Sequence, residues 1–268
     1  MNLSHLCHFL RSKKIHPKKS LSQNFLVDSN IINKIIEEAK VQKGDYILEI
    51  GPGVGAITQE LVKKGAQVIV VEKDSVLAKT LFHLEGVEVF EGDILEFPFE
   101  KLKRKAKIVS NLPFHVTAPI LTRLVPRKDL FTSMTFIVQK EVAMRMIAPP
   151  NTANYGSLTL FLNFYASVRH AFGVSRHCFY PKPDIEASAV TLNLHEKPDV
   201  NSENEFFLLV RSAFQQRRKM IRNSLKKYHD SEAIAQALDK MGLDLKARAE
   251  NLSLEAFLTL YRTLSFKQ

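Results

Sequence analysis

The chain has no tryptophan, only two cysteines among 268 residues, and no apolar run that approaches the length of a bilayer span. Because Cys7 and Cys178 cannot supply a disulfide framework for a chain of this length, we expect inert thiols in a reducing, cytoplasmic environment. The N-terminus lacks the compact apolar stretch of a secretion signal. These absences exclude proteins with membrane-spanning helices and small domains stapled by disulfides.

Acidic residues are also scarce, and none precedes Asp28. The chain carries 38 Lys and Arg against 28 Asp and Glu, a formal net charge of +10. Such an excess favours a polyanionic partner, since basic side chains that displace phosphate counterions bind nucleic acid whatever its sequence. The basic start is also compatible with a short organellar transit peptide. We see no strongly amphipathic basic helix with apolar anchors, so we do not expect a membrane partner.

Glycines number only ten, yet three of them stand at alternate positions, Gly51, Gly53 and Gly55. Glycine tolerates positive φ angles and lets the backbone approach a ligand, so this loop after an apolar run predicts a nucleotide-cofactor site. Gly51, Gly53 and Ala56 satisfy the dinucleotide pattern G-x-G-x-x-G/A, and Glu72 follows about twenty residues later. The loop alone does not decide which nucleotide cofactor binds.

Short β-rich runs alternate with helical runs after Tyr46, which predicts an α/β fold with a parallel sheet covered on both faces. The predicted strands are Tyr46–Ile50, Gln67–Val71, Val87–Glu91, Lys107–Ser110 and Met134–Val138, and the predicted helices are Ile31–Ala39, Gly55–Lys64, Ser75–Leu84, Thr117–Val125 and Lys140–Ile147. Two later runs, Ala166–Phe172 and Ala187–Leu194, predict an antiparallel pair at the sheet edge. Between them Phe179–Pro183 is expected to be a loop, because two prolines break either element.

The composition changes near Glu196–Asp199 and is helical from there onward. Phe207, Val210 and Phe214 recur at helical spacing. We therefore predict a first domain over residues 1–198 and a small all-α domain over residues 199–268. Residues 1–27 are expected to form a basic segment that is flexible until it nears the site.

Glu72, Asp93 and Asn111 each stand at the C-terminal end of a predicted strand. In an open α/β sheet the ligand lies in the crevice at those ends. Glu72 can hold both hydroxyls of a ribose, and Asp93 can accept a hydrogen bond from an adenine amino group. Their shared register with the glycine loop favours a ligand site over three unrelated surface residues.

The fourth strand runs into Asn111-Leu112-Pro113-Phe114, a combination suited to an aromatic amine. An adenine amine is a poor nucleophile because its lone pair is delocalised into the ring. The amide oxygen of Asn111 and a backbone carbonyl can accept its two N–H bonds and turn the lone pair towards an electrophile. Pro113 restricts Leu112 to an extended conformation, and Phe114 offers a ring face to a flipped base. In isolation the tetrapeptide is better explained as a strand-ending turn that buries a phenylalanine.

In order and spacing, Leu21–Leu26, Glu49–Thr58, Glu72, Gly92-Asp93 and Asn111–Phe114 resemble the S-adenosylmethionine-dependent ribosomal RNA adenine N6-dimethyltransferases. The resemblance runs from about Lys18 through the C-terminal helices. It implies a Rossmann-like class I methyltransferase sheet with a small all-α C-terminal domain. It also implies two in-line methyl transfers to N6 without a metal or a strong general base, which makes His115 incidental.

The resemblance implies a role for each matching residue. The implied cofactor-binding residues are Asn24, Leu26, Gly51, Gly53, Glu72, Asp93 and Asn111, and the implied catalytic residues are Asn111, Leu112, Pro113, Phe114 and Phe179. By this resemblance Gly51 would approach the methionine end of the cofactor, Glu72 its ribose and Asp93 its adenine. Phe179 would cover the second face of the target adenine; the alternative for this residue is an ordinary core position.

Residues 211–227 contain no acidic side chain. On a single helix they present basic stripes opposite an apolar side through Phe214, Ile221 and Leu225, and the missing acids favour phosphate contact over a merely solvated face. The predicted RNA-binding residues are Arg211, Arg217, Arg218, Lys219, Arg222 and Lys226. A second basic segment contains Arg11, Lys13, Lys14, Lys18 and Lys19.

Within the family, Phe214–Lys219 and the long helical tail resemble the enzymes that dimethylate two adjacent adenosines of the small-subunit 3′ hairpin. We therefore expect a monomer whose partner is small-subunit rRNA in the assembling particle. Three features depart from that pattern: Ser22, Phe114 and the sequence Asp184-Ile185-Glu186. Phe114 also occurs in the antibiotic-resistance methylases of large-subunit rRNA, which remain one alternative. A non-catalytic nucleic-acid-binding factor on the same scaffold is the other.

Overall fold

The structure, a computed structural model, describes residues 3–18 and 21–264. Its Cα atoms group into two compact units, a sheet unit from residues 1–143 and 167–195 and a helical unit from residues 144–166 and 196–268. The change of unit after His195 lies near the domain boundary predicted at residue 198. Residues 144–166, assigned from sequence to the first domain, instead group with the C-terminal helices, because Phe164 stacks on Phe206 with ring centroids 5.1 Å apart.

The sheet unit contains nine strands among the described residues: β1 Phe25–Leu26, β2 Tyr46–Ile50, β3 Gln67–Glu72, β4 Val87–Glu91, β5 Ala106–Asn111, β6 Phe131–Gln139, β7 Ala166–Val174, β8 Phe179–Tyr180 and β9 Ala187–Leu194. Seven of them form one sheet in the order β4-β3-β2-β5-β6-β9-β7, and β1 pairs separately with β8. The first five strands in that order are parallel and β9 is antiparallel to β6. The predicted α/β fold is confirmed.

The helices of this unit are α1 Leu3–Ser12, α2 Ser29–Glu38, α3 Ala56–Lys63, α4 Ser75–Leu81 and α5 Thr117–Leu124; α6 Lys140–Met146 passes into the helical unit. Every residue of β2 is buried, as a strand covered on both faces requires. Asp28 caps α2 by accepting from the N–H groups of Asn30 and Ile31.

Two local expectations for the sheet unit are wrong. Within residues 3–18 the N-terminal segment is not merely an extended basic arm, because it forms α1, which buries Leu6 and Leu10 in a cluster with Val54 and Leu77. Phe179 and Tyr180 are not a loop, since they pair with β1 before the first proline. Of the basic N-terminal residues, Lys19 lies outside the described residues, and Arg11, Lys13, Lys14 and Lys18 are exposed.

The helical unit contains α7 Ser157–Tyr165, α8 Glu203–Gln215, α9 Ile221–Leu225, α10 Ser231–Lys240 and α11 Leu254–Thr263. The expectation of a single helix over residues 211–227 is wrong. Since α8 ends at Gln215 and α9 begins at Ile221, the predicted basic stripes do not form on one helix. Gln216 leaves the helical region at φ −125°, ψ 66°. Tertiary hydrogen bonds hold the break, since the N–H of Ile221 donates to the carbonyl of Ala247 at 2.8 Å.

None of the helices in the described ranges is both long and apolar enough to cross a membrane.

Candidate active site

The glycine loop joins the C-terminal end of β2 to α3. Gly51, Gly53 and Gly55 have φ angles of 62°, 59° and 77°, so each occupies the left-handed region that other residues avoid. Space is restricted as well, because a Cβ on Gly53 would lie 2.9 Å from Cδ1 of Phe25. Glycine is therefore needed here both for the backbone conformation and for the close approach of the N-terminal segment.

Glu72 stands at the end of β3 with its carboxylate held from two sides. Oε2 accepts a hydrogen bond from the N–H of Gly53 at 3.0 Å, and Oε1 accepts from the N–H of Asp74 at 2.8 Å. Burial raises the pKa of Glu72, and the backbone hydrogen bonds oppose that shift. The side chain is a fixed acceptor beside the glycine loop, at the position predicted for a ribose-binding carboxylate.

Asp93 follows β4 and is also held in place. Its Oδ1 accepts from the N–H of Leu95 at 2.9 Å, and its Oδ2 pairs with Nζ of Lys73 at 2.8 Å. Partial burial acts to raise the pKa of Asp93, but the hydrogen bonds from Lys73 and Leu95 outweigh it and lower the pKa. The side chain therefore stays ionised and able to accept further hydrogen bonds.

Asn111 ends β5 with one half of its amide satisfied and the other half not. Nδ2 donates to the backbone carbonyl of Asn24 at 3.0 Å. Oδ1 is buried and has no hydrogen-bond partner among the described residues. Burying a hydrogen-bond acceptor without a partner costs free energy. The buried Oδ1 at the C-terminal end of β5 therefore points to a ligand that donates a hydrogen bond to it.

The turn after Asn111 is ordered by its own hydrogen bonds. Leu112 is buried and donates its N–H to the carbonyl of Ile137 at 3.0 Å. Pro113 is extended, with φ −60° and ψ 121°, and a short 3₁₀ turn over Phe114–Val116 follows it. Thr117 Oγ1 lies within hydrogen-bond distance of the carbonyls of Pro113 and Phe114, at 3.2 and 3.3 Å. These contacts fix where the Phe114 ring stands.

Phe114 and Phe179 lie together, with ring centroids 6.4 Å apart and planes at 71°. Phe179 is only 3% exposed and packs within the main core, whereas Phe114 is half-buried at its margin. The two rings meet edge to face, so this arrangement holds no parallel slot between them. In this conformation Phe179 is a core residue, which is the alternative given for it from the sequence. Its role in covering the second face of the target adenine stays a prediction.

Asp74 ties the N-terminal segment to this pocket, which sequence reasoning missed. Its Oδ2 accepts from Nε2 of Gln23 at 3.0 Å and pairs with Nζ of Lys18 at 2.9 Å, while its side chain is 2% exposed. Its Oδ1 caps α4 by accepting from the N–H of Val76. The sequence signal was a capping aspartate two residues after Glu72, but nothing local indicates a partner 51 residues away.

Glu49 is a second buried carboxyl group in the pocket and was also missed. Thr58 Oγ1 donates to its Oε2 at 2.6 Å. Burial raises the pKa of Glu49 to about 8, the Thr58 hydrogen bond opposes that rise, and the negative charge of Glu72 adds to it. An acidic residue inside an otherwise apolar strand was the available signal.

One pocket gathers almost all of the predicted site. Its lining includes Asn24, Leu26, Gly51, Gly53, Glu72, Asp93, Asn111, Leu112, Pro113 and Phe114. Glu49 and His115 line it as well, whereas Phe179 does not. The predicted RNA-binding residues belong to the helical unit; five of the six are exposed and Arg222 is half-buried.

Comparisons with known proteins show the family to which this chain belongs. A family model described as ribosomal RNA adenine dimethylase matches residues 15–265. The ribosomal RNA small subunit methyltransferases A of Protochlamydia amoebophila and Chlamydia muridarum are 47% and 43% identical to this chain, over 97% and 98% of it and 96% and 98% of their own lengths.

Two solved structures are similar over most of the chain. A dimethyladenosine transferase from Plasmodium falciparum aligns with a TM-score of 0.76 and 26% identity, covering 88% of this chain and 95% of that one. The 23S rRNA methyltransferase ErmE aligns with a TM-score of 0.69 and 25% identity, covering 90% and 99%. The sequence resemblance is thereby confirmed, and this chain belongs to the ribosomal RNA adenine dimethylase family.

Proposed function

We propose that this chain transfers methyl groups from S-adenosylmethionine to N6 of two adjacent adenosines in the 3′-terminal hairpin of small-subunit rRNA, giving N6,N6-dimethyladenosine. The observation that carries the proposal is the buried, partnerless Oδ1 of Asn111 in the same pocket as the glycine loop. The names of the relatives with 47% and 43% identity favour the small subunit over the large.

The residues present fit S-adenosylmethionine. The cofactor supplies an electrophilic methyl group on a sulfonium centre. Gly51 and Gly53 line the pocket on the side assigned to its methionine portion, Glu72 offers a fixed carboxylate to the ribose, and the ionised Asp93 offers an acceptor to the adenine amine. Asn24 and Leu26 reach the same pocket from the N-terminal segment.

Asn111 orients the target amine. The hydrogen bond from its Nδ2 to Asn24 leaves Oδ1 as the amide atom without a protein partner, and we assign to Oδ1 the acceptance of an N6–H bond. This interaction draws the amine lone pair out of conjugation and aims it, an effect of orientation and electrostatics. Phe114 provides the stacking face for the flipped base. The product ammonium is strongly acidic and loses its proton to water or a nearby carbonyl, so no side chain needs to act as a strong base.

RNA contact in the helical unit is assigned to the exposed Arg211, Arg218, Lys219 and Lys226 and the half-buried Arg222, none of which has an ion-pair partner in the described part of the chain. Arg217 differs, because its Nη2 donates to the carbonyls of Ala153 and Tyr155 at 2.9 and 2.7 Å. We propose that the protein acts as a monomer in the cytoplasm, on rRNA within the assembling small subunit.

The test supplies radiolabelled S-adenosylmethionine with unmethylated small and large ribosomal subunits in separate reactions and maps the modified base. Dimethyladenosine confined to the small-subunit 3′ hairpin is the expected result. Label in the large subunit would move the assignment to the resistance-type methylases. Cofactor binding without label in either subunit would identify a non-catalytic binding factor instead.

A further inference from the structure

A second basic surface lies at the edge of the sheet opposite the active site. We call it the basic edge surface and define it by the exposed lysines Lys40, Lys43, Lys64, Lys101 and Lys105. They precede the N-terminal ends of β2, β3 and β5, whereas the active site lies at the C-terminal ends of those strands. Around Lys101–Lys107 the sequence reads Lys-Leu-Lys-Arg-Lys-Ala-Lys, with no acid.

Hydrogen bonds bring the three loops of this surface together. Arg104 Nη2 donates to the carbonyl of Gly44 at 2.7 Å and to Oε1 of Gln67 at 3.2 Å. The N–H of Gly44 donates to the carbonyl of Gly65 at 2.9 Å. The loops that carry Lys43, Lys64 and Lys105 therefore form one continuous edge.

Three of the carboxylates near these loops are already paired with lysines outside the basic edge surface. Asp45, Glu60 and Glu88 pair with Lys107, Lys63 and Lys103 at 2.7, 2.6 and 2.9 Å, respectively. Within residues 3–18 and 21–264, the five lysines of the basic edge surface have no carboxylate at ion-pair distance. Lys101 instead stands over the Phe90 ring, 5.7 Å from its centroid. Glu37, Glu85 and Glu100 also lie near these loops, but the five lysines and Arg104 outnumber them, so the surface carries an excess of positive charge.

The composition of the surface favours a phosphate backbone over a protein partner. A protein interface needs an apolar or aromatic centre, and the exposed large hydrophobic residues of the sheet unit, Leu3, Val76, Phe82 and Ile185, are not among the residues of these loops. Phosphate binding needs only clustered cations that release counterions. Lysine serves there as a point charge without geometric demands.

The basic edge surface is far from the pocket in which methyl transfer is proposed. The strands between the two edges have five or six residues, which at about 3.3 Å per residue places the edges roughly 16–20 Å apart. A nucleotide in the active site cannot touch both edges. We propose that the basic edge surface binds the phosphate backbone of a second rRNA segment, distinct from the hairpin that is methylated, which rests on the proposed function.

The test compares two double variants of equal charge loss in the 268-residue chain. Lys43→Gln/Lys105→Gln removes two cations from different loops of the surface, and Lys34→Gln/Lys79→Gln removes two exposed cations from α2 and α4 as the matched control. Each protein is titrated with unmethylated small subunits over a range of salt concentrations, and separately with the isolated 3′ hairpin RNA. Methylation of both substrates and the thermal unfolding midpoint are recorded alongside.

For the surface variant we expect about tenfold weaker binding to the particle, and a slope of log K against log salt that is lower in magnitude by about 1.5. Hairpin binding and methylation should match wild type, as should the unfolding midpoint. Equal slopes for both double variants would overturn the proposal, and a partner protein would then be sought. Parallel losses on hairpin and particle would overturn the assignment to a second segment. Failure of the proposed function is seen separately, as absence of methylation by wild type.

Discussion

The side-chain amide of Asn111 donates to the backbone carbonyl of Asn24 at 3.0 Å, across 87 residues of sequence. This bond engages Nδ2 and leaves the buried Oδ1 as the acceptor without a partner among the described residues. It also joins the N-terminal segment to the catalytic turn. The motifs Leu21–Leu26 and Asn111–Phe114, which are far apart in sequence, are therefore joined at the Asn111 amide.

Replacing Asn111 with alanine should abolish the orientation of the amine and leave most cofactor contacts in place. We expect the rate of methyl transfer to fall roughly 100- to 1,000-fold, as when one preorganised polar group is removed from an active site. Cofactor affinity should stay within about tenfold of wild type. Single-turnover transfer from labelled cofactor and calorimetric binding measure the two effects.

The isosteric Asn111→Asp variant provides the control for that prediction. It keeps acceptor oxygens but loses the donor to Asn24 and places a carboxylate against that carbonyl. We expect it to be impaired both in transfer and in cofactor binding. If Asn111→Ala turned over at the wild-type rate, the orienting role of Asn111 would be wrong.

Gly53→Ala should damage the cofactor loop by two separable effects. Its φ of 59° is unfavourable for alanine, and the new Cβ would lie 2.9 Å from the Phe25 ring. We expect a loss of stability of roughly 2 kcal/mol or more and a marked fall in cofactor affinity. Urea unfolding and cofactor titration measure these changes.

Gly44→Ala is the matched control, because Gly44 has a φ of 86° but open space where the alanine Cβ would stand. It should cost stability, about 1 kcal/mol, without altering cofactor affinity. Adding Phe25→Leu to Gly53→Ala should restore part of the loss through relief of the contact. No restoration in the double variant would show that backbone strain alone accounts for the defect.

Asp74→Asn should loosen the N-terminal segment. The change removes the charge that pairs with Lys18 and weakens the acceptor for Gln23, while asparagine still caps α4 well. We expect KM for the cofactor to rise several-fold with little change in kcat, and faster hydrogen exchange over residues 21–26. Lys18→Gln, which removes only the half-exposed partner, should have a small effect. Unchanged exchange in Asp74→Asn would contradict the anchoring role.

Glu49 should make stability fall as pH rises through neutrality. Burial raises its pKa from 4.5 to about 8 in the folded protein, so between these values the folded state binds more protons than the unfolded chain. Relative to Glu49→Gln, wild type should therefore lose up to about 1.4 kcal/mol of unfolding free energy per pH unit in that window. Urea unfolding of both proteins from pH 5 to pH 8 checks this.

Thr58→Val sharpens the same prediction. The Thr58 hydroxyl donates to the Glu49 carboxyl and lowers its pKa, so removing that donor should extend the pH-dependent loss to higher pH. A constant stability difference between wild type and Glu49→Gln across the range would show that Glu49 titrates normally.

Local sequence patterns predicted most strands and helices of the sheet unit, because apolar runs, glycines and helix caps act on neighbouring residues. The run Tyr46–Ile50 and the glycines after it specify a buried strand and a cofactor loop without reference to distant residues. Asn111 could be assigned from its position at a strand end. Its partner Asn24 could not, since a backbone carbonyl leaves no trace in the side-chain sequence.

The errors arose where distant contacts override local preference. Leu6 and Leu10 gain a helix because Val54 and Leu77 supply the apolar surface that α1 covers. The helix expected over residues 211–227 breaks because backbone and side-chain partners from elsewhere in the helical unit hold its middle. Helical periodicity reports which residues share a face only while the helix is continuous.

Arg217 and Arg218 are adjacent in sequence but should differ in function. The Arg217 guanidinium donates to the carbonyls of Ala153 and Tyr155 and lies 3.9 Å from Glu250. Charged hydrogen bonds to backbone carbonyls stabilise a fold, so Arg217→Gln should cost about 1–2 kcal/mol of unfolding free energy, given its half-exposed side chain. Arg218 is exposed and has no partner in the described part of the chain, so Arg218→Gln should leave stability unchanged.

RNA binding should show the opposite order. Arg218→Gln should reduce the magnitude of the salt slope by about 1, because one phosphate contact is lost. At a temperature well below its unfolding transition, Arg217→Gln should retain the wild-type slope, since its guanidinium is already committed within the protein. Filter binding to the 3′ hairpin at several salt concentrations, with unfolding followed by circular dichroism, separates the two variants. A reduced slope for Arg217→Gln with no loss of stability would reverse the assignment and return Arg217 to the RNA-binding surface predicted from sequence.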